Sequence, residues 1–222
     1  MKNLKTEYWI AGLILLTVAA HIPVFQANFL LLNDPEYVTE NPVVKQGLTW
    51  HGIKWSIFSW DSGQWHPVTW LSHMLDVSIW GLYPTGHHLT NLLLHTVNAL
   101  LVFYLLRKIT DRPFLSWLAA LIFAIHPVQT ESVAWVYARQ DLLSATFLFL
   151  AIFAYLRYVA EKTPRRYLLI VFFFGLGLMT KFAVIVLPLY LLVLDYWPRE
   201  RPKTEDQRPK TEDRRRLLRP LY

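Results

Sequence analysis

The chain has 222 residues, 54% of them hydrophobic and 15% aromatic but only 17% charged, against about a quarter charged in soluble domains, which excludes a disordered, collagen-like or soluble nucleic-acid-binding protein. A formal net charge of +6 would point to nucleic acid only if the basic residues formed one patch, and they do not. The absence of cysteine excludes a disulfide framework, a thiolate zinc site and a cysteine nucleophile together.

Taken in chain order, six apolar runs reach or approach the roughly 20 residues a helix needs to cross about 30 Å of hydrocarbon: 8–28, 88–106, 114–128, 142–158, 167–180 and 182–197. The first follows Lys2 and Lys5, so it reads either as a retained anchor or as a secretory signal cleaved near Ala20 or Ala27. Five later runs make the anchor the more economical reading. The last two runs could form one helix with Lys181 inside it or two helices hinged there. Six spans place eighteen basic residues on one side and leave only Lys45, Lys54, Arg139 and Lys181 on the other. Five spans would export the basic tail and bury a lysine, against the positive-inside bias. The expectation is therefore an all-α integral membrane protein of about six transmembrane helices with both termini cytoplasmic, in the inner membrane if the source is bacterial.

Between the first two runs lies a long outer loop, 29–87, far beyond ordinary connection length and so a functional candidate. Trp50, Trp55, Trp60, Trp65, Trp70 and Trp80 all fall in it. They serve either as interfacial anchors or as platforms for sugar or lipid. Its acidic residues are Asp34, Glu36, Glu40, Asp61 and Asp76. Composition reads Asp34 as a solvated loop aspartate; its place just beyond the first span also suits a general base at the membrane surface.

On the second span, His88, Asn91, His95 and Asn98 recur at spacings of 3, 4 and 3, a polar stripe on one helix face. The deeper His95 and Asn98 read as interhelical hydrogen-bonding groups, while His87 and His88 read as facing substrate at the outer mouth. The third and fourth runs are joined by a short outer connection with His126, Glu131, Arg139 and Asp141, and Lys181 stands at the next outer turn. Arg139 and Lys181 would suit a phosphate, or would pair with Glu131 and Asp141 as structural ion pairs. No spacing such as HExxH marks a metal site, and no cofactor is expected.

Past the last run, 201–207 and 208–214 form a near-perfect seven-residue duplication without an apolar position. The domain division expected is thus a polytopic membrane domain, 1–198, and a disordered, charged cytoplasmic tail, 199–222.

Several blocks, in order, carry a resemblance: Asn33, Asp34 and Pro35 with Tyr37 and Val38; Gly47 to Trp50; His66 to Ser72; Gly86 to His95; His126 and Pro127; Glu131 to Trp135; Arg139 with Asp141; and Lys181. Over about 8–198 the chain resembles the membrane proteins with C-terminal tetratricopeptide repeats that include the protein O-mannosyltransferases, chiefly their bacterial branch. The resemblance implies the amino-terminal half of a C-type (GT-C) glycosyltransferase, apparently truncated before the later helices and repeats. It implies a polyprenyl-phosphate-sugar donor, an outer-face hydroxyl acceptor such as protein Ser or Thr, and Asp34 as catalytic carboxylate. His87, His88, Arg139, Lys181, Glu131 and Asp141 are the candidate substrate-binding residues. Asn33 and Gln140 stand where the family usually has an acidic residue and a lysine. The partners expected are membrane lipid, the lipid-linked sugar, a protein acceptor and a companion membrane chain, without nucleic acid. Other readings are a non-catalytic assembly or binding protein, an inactive truncated homologue and a small transporter.

Overall fold

The computed structural model describes residues 2–196, so the charged tail expected at 199–222 lies outside the described residues. Among these the structure is helical, with no strand: α1 (Lys2–Ala20), α2 (Trp50–Phe58), α3 (Pro67–Trp80), α4 (Pro84–Thr110), α5 (Pro113–Ile125), α6 (Gln129–Ala134), α7 (Arg139–Ala160), α8 (Pro164–Leu178) and α9 (Leu187–Tyr196), with short 3-10 and π turns between them. Proline opens α3, α4, α5 and α8, where its missing N–H costs nothing and its fixed φ suits the first helical turn. α2 starts instead on a side-chain cap, Thr49 Oγ1 accepting the Gly52 amide at 3.0 Å.

By length and composition, α4 and α7 can cross a membrane, while Thr6–Ala20, Pro113–Ile125 and Phe182–Tyr196 are shorter apolar helices. The expected run 88–106 is extended at both ends: α4 begins at Pro84, a turn early, and continues to Thr110. The expected runs 167–180 and 182–197 are separate helices. α8 ends at Leu178, Lys181 is extended, and a 3-10 turn over Phe182–Val186 leads into α9. The one-helix alternative is therefore not what the chain adopts.

The segment expected as a loop over 29–87 ends at Tyr83 and is a folded layer built on α2 and α3. Its core is Tyr37, Val38, Val44, Trp70, Met74 and Val136. The tryptophans divide accordingly: Trp70 is fully buried, whereas Trp50 and Trp60 are 71% and 72% exposed. The spacing of the buried groups His66, Trp70, His73 and Asp76, at and along α3, is that of one helix face. A second core, of Leu13, Ala99, Phe103, Ala120 and Ala124, forms where α1, α4 and α5 meet.

The polar stripe of α4 turns inward. His95 Nε2 meets the Ala124 carbonyl at 2.8 Å, Asn98 Nδ2 donates to the Leu142 carbonyl at 2.9 Å, and Thr146 Oγ1 donates to Asn98 Oδ1 at 2.7 Å. Such bonds are worth about 0.6 to 2 kcal/mol each in a bilayer, and here they fasten α4 to α5 and α7. Apolar side chains of α8 and α9, among them Leu168, Phe172, Leu189 and Val193, are exposed.

The layer built on α2 and α3 joins α4 at residues 81–83, and Gly86 in the first turn of α4 lies against the Trp80 ring. A Cβ at Gly86 would lie 2.3 Å from Trp80 Cγ, so Gly86→Ala is expected to cost about 1–3 kcal/mol through overpacking. A drop in apparent Tm in detergent, larger than for Gly175→Ala, where a Cβ meets nothing, checks this.

Candidate functional site

The chain leaves α1 through a 3-10 turn at Ile22–Gln26, runs extended from Ala27, and reaches Asp34, which opens a π turn over Pro35–Thr39. Asp34 is fully buried, not the solvated loop residue that composition suggests. Its Oδ2 accepts the Leu30 amide at 2.8 Å and its Oδ1 accepts the Tyr137 amide at 2.8 Å. The carboxylate thus straps the chain after α1 to the turn before α7. Burial pushes its pKa up; the two amides and the Arg139 cation pull against that, and the net direction is upward.

Arg139, the first residue of α7, is also fully buried. Its Nη1 lies 2.5 Å from Asp76 Oδ2 and 3.4 Å from the Ser72 carbonyl; Nη2 donates to the His87 carbonyl at 2.9 Å, and Nε to Asn91 Oδ1 at 2.8 Å. The expected partners, Glu131 and Asp141, are not the ones it takes. Glu131 is exposed on α6 and Asp141 pairs with Lys181, so the buried guanidinium takes its direct ion pair from Asp76, buried on α3. Asp76 also accepts Thr90 Oγ1 at 2.8 Å and lies 3.4 Å from His87 Nδ1.

His87 and His88 are buried, not at an open mouth, because α4 starts early enough to carry both within its first two turns. His87 Nε2 meets the Gly81 carbonyl at 2.9 Å and its ring stands edge-on to Phe29. His88 faces the backbone of Asn28 and Ala27. Lys181 and Asp141 are 37% and 39% exposed in their side chains. The segment before Lys181 is pinned to α3, with the Val68 amide donating to the Met179 carbonyl at 3.1 Å and Thr69 Oγ1 to the Thr180 carbonyl at 3.3 Å.

Positions 137, 139 and 141 therefore gather the expected groups along one stretch: the amide holding Asp34, the buried cation, and the carboxylate that meets Lys181. Beside them Tyr37 stacks on Trp70 and His66, with ring centroids 4.6 and 5.4 Å apart, and packs edge-on against Tyr137. Burial lowers His66 to about 4 and His73 well below its usual value, so both rings are neutral near pH 7. Among the described residues no three His, Asp or Glu side chains come together as metal ligands. The residues that the sequence did not single out for this site are Asp76, Asn91 and Tyr137. For Asp76 a signal existed: a lone acid on the buried face of an amphipathic helix must find a cation.

Residues 68–205 match the family of dolichyl-phosphate-mannose-protein mannosyltransferases. The chain is 36% identical over 100 residues to the protein O-mannosyl-transferase Tmtc1 of Drosophila melanogaster, covering 45% of this chain and 12% of that protein. It is 34% identical over 156 residues to the human protein O-mannosyl-transferase TMTC4, covering 63% and 21% respectively. With the mouse protein O-mannosyl-transferase TMTC1 the identity is 31% over 137 residues, 56% of this chain and 14% of the relative. The chain thus spans between about an eighth and a fifth of the length of these relatives. No solved structure matches.

Proposed function

The chain belongs to the dolichyl-phosphate-mannose-protein mannosyltransferase family, and on that premise we propose that it forms the amino-terminal part of a membrane glycosyltransferase that moves a sugar from a polyprenyl-phosphate donor to a hydroxyl acceptor at the outer face, such as a protein Ser or Thr. The observation that carries this is Asp34: a buried carboxylate of raised pKa, fixed by two amides, beside a compensated cation. Each of its oxygens keeps a lone pair beyond the amide bond it accepts. An acceptor hydroxyl that reaches the remaining lone pair of Oδ2 loses its proton to Asp34 and attacks the anomeric carbon as the lipid phosphate leaves, with inversion. Lys181, half-exposed, turns from Asp141 to offset charge on the leaving phosphate. Arg139, whose donors are already engaged, holds the turn in place, and His87 and His88 shape the donor side with Glu131 at the rim. The test is transfer from polyprenyl-phosphate-mannose to a Ser/Thr peptide by the chain reconstituted in proteoliposomes. Product above the protein-free background supports the reading.

Complete burial of Asp34 also fits a second reading, a structural strap in a non-catalytic membrane subunit. That reading expects no product and an Asp34→Asn variant that is destabilised rather than slowed.

The topology we propose is six spans with both termini cytoplasmic, resting on the division of basic residues between the two sides. Reporter fusions after position 197 should read cytoplasmic and fusions within 47–63 extracytoplasmic. An extracytoplasmic tail contradicts it.

A further inference from the structure

We propose that Asp76 is a positioning residue for Asp34, acting through Arg139 and the turn that carries Tyr137. The proposal rests on the reading of Asp34 as the base. The turn over 133–139 is gripped twice. From α4, Asn91 Nδ2 donates to the Trp135 carbonyl at 3.0 Å and the Val133 carbonyl at 3.4 Å, while its Oδ1 accepts Arg139 Nε. From α3, Asp76 takes Arg139 Nη1. Two residues before Arg139, the Tyr137 amide is the donor that fixes Asp34 Oδ1.

Of these grips only Asp76 brings charge. Its carboxylate is almost wholly buried and already engaged by Arg139, Thr90 and His87, which suits a fixed counter-ion rather than a proton acceptor. A buried guanidinium deprived of its counter-ion either withdraws toward water or draws another anion to itself. Both movements shift the turn by way of Arg139, and the Tyr137 amide with it. The nearest other anion acting on Arg139 is Asp34 itself.

The electrostatic consequence has a definite sign. The groups facing this pair are His87 and His88 on α4 and His73 on α3, with Asp34 on the segment after α1. An imidazole is neutral or cationic, so none of the three histidines replaces the lost carboxylate. With Asp76 ionised, Arg139 is matched and its pull on Asp34 is shared. With Asp76 neutral, the unshared cation stabilises ionised Asp34 and makes it a weaker base.

The experiment compares wild type with Asp76→Asn, Asp76→Glu and Thr90→Val as full chains in lipid nanodiscs, reading hydrogen exchange at the Tyr137 amide and the pH profile of kcat for transfer. Asp76→Asn is expected to speed Tyr137 exchange about tenfold or more while amides in the middle of α4 stay protected. It should lower kcat about tenfold to a hundredfold, with little change in KM for the lipid donor, and move the acid limb of kcat to lower pH. Asp76→Glu, which keeps the charge, should recover most of the protection. Thr90→Val removes one hydroxyl from Asp76 without burying an unpaired charge, so it is expected to fold and to speed Tyr137 exchange about two- to threefold. Wild-type exchange at Tyr137 in Asp76→Asn would overturn the proposal. So would uniform loss of protection in Asp76→Asn accompanied by no change at Tyr137 in Thr90→Val, since Asp76 would then be a general fold contact. The exchange measurement needs no turnover. If wild type transfers no sugar, the functional reading fails while the exchange data still decide whether Asp76 sets the turn.

Discussion

Arg139→Leu is expected to be among the most destabilising single substitutions in this chain. It leaves the Asp76 carboxylate buried with only Thr90 and His87 beside it, and it strands the Asn91 side-chain oxygen. Breaking a buried pair from one side costs about 3–5 kcal/mol, against a total stability of about 5–15 kcal/mol for a typical domain. The variant should therefore show a sharply lower apparent Tm and a poor yield of folded protein. The same substitution made on both sides behaves differently: Asp76→Leu with Arg139→Leu buries no unpaired charge, and the double variant should be more stable than either single one. Lys181→Gln supplies the contrast, since its pair with Asp141 is more than a third exposed and such pairs contribute about 0–1 kcal/mol. A double variant no more stable than Arg139→Leu alone would show that the network acts through shape rather than charge.

Asp34→Asn is expected to slow sugar transfer about a hundredfold to ten-thousandfold, the usual range for removing a general base. The change is nearly isosteric but not innocent. An amide offers one acceptor and one donor where the carboxylate offers two acceptors, so either the Leu30 or the Tyr137 N–H meets an NH2 group. The resulting loss, about 1–3 kcal/mol for an unsatisfied buried donor, is small enough for the variant to fold. Stability and rate thus move by different amounts, and the rate carries the assignment.

The polar stripe of α4 was legible because four hydrogen-bonding residues at 3, 4, 3 spacing in an apolar run have no reason to face lipid; its deeper members, His95 and Asn98, bond α5 and α7 as read, whereas Asn91 holds the turn before α7 and His88 faces the chain after α1. The break at Lys181 was legible for a related reason: a lone ammonium in the middle of a span is costly, and the chain bends to bring it beside Asp141. Asp76 was counted among the acids of the 29–87 loop but given no role, because a loop acid reads as solvated until α3 is known to be a helix with that face buried. Its pairing with Arg139 was missed, since spacing favours Glu131 and Asp141 nearby in sequence, whereas burial selects a carboxylate on a different element. The segment 29–87 was read as loop because it lies between the first two apolar runs; Pro67 and Pro84 mark the helix starts that would have corrected this. For Asp34 the residues alone favoured solvent, the resemblance assigned chemistry, and only the fold shows the strap between Leu30 and Tyr137.

The central claim is that Asp34 is the base, and its most direct test is kcat for transfer as a function of pH, measured for wild type and Asp34→Asn side by side in proteoliposomes with saturating polyprenyl-phosphate-mannose. Because burial raises the Asp34 pKa and only the ionised carboxylate accepts a proton, the wild-type rate should fall as pH drops through a value above that of an ordinary aspartate. In Asp34→Asn that limb should vanish and the residual rate should lie at least about a hundredfold lower on the plateau. Equal plateau rates, or the same acid limb in both proteins, would contradict the account.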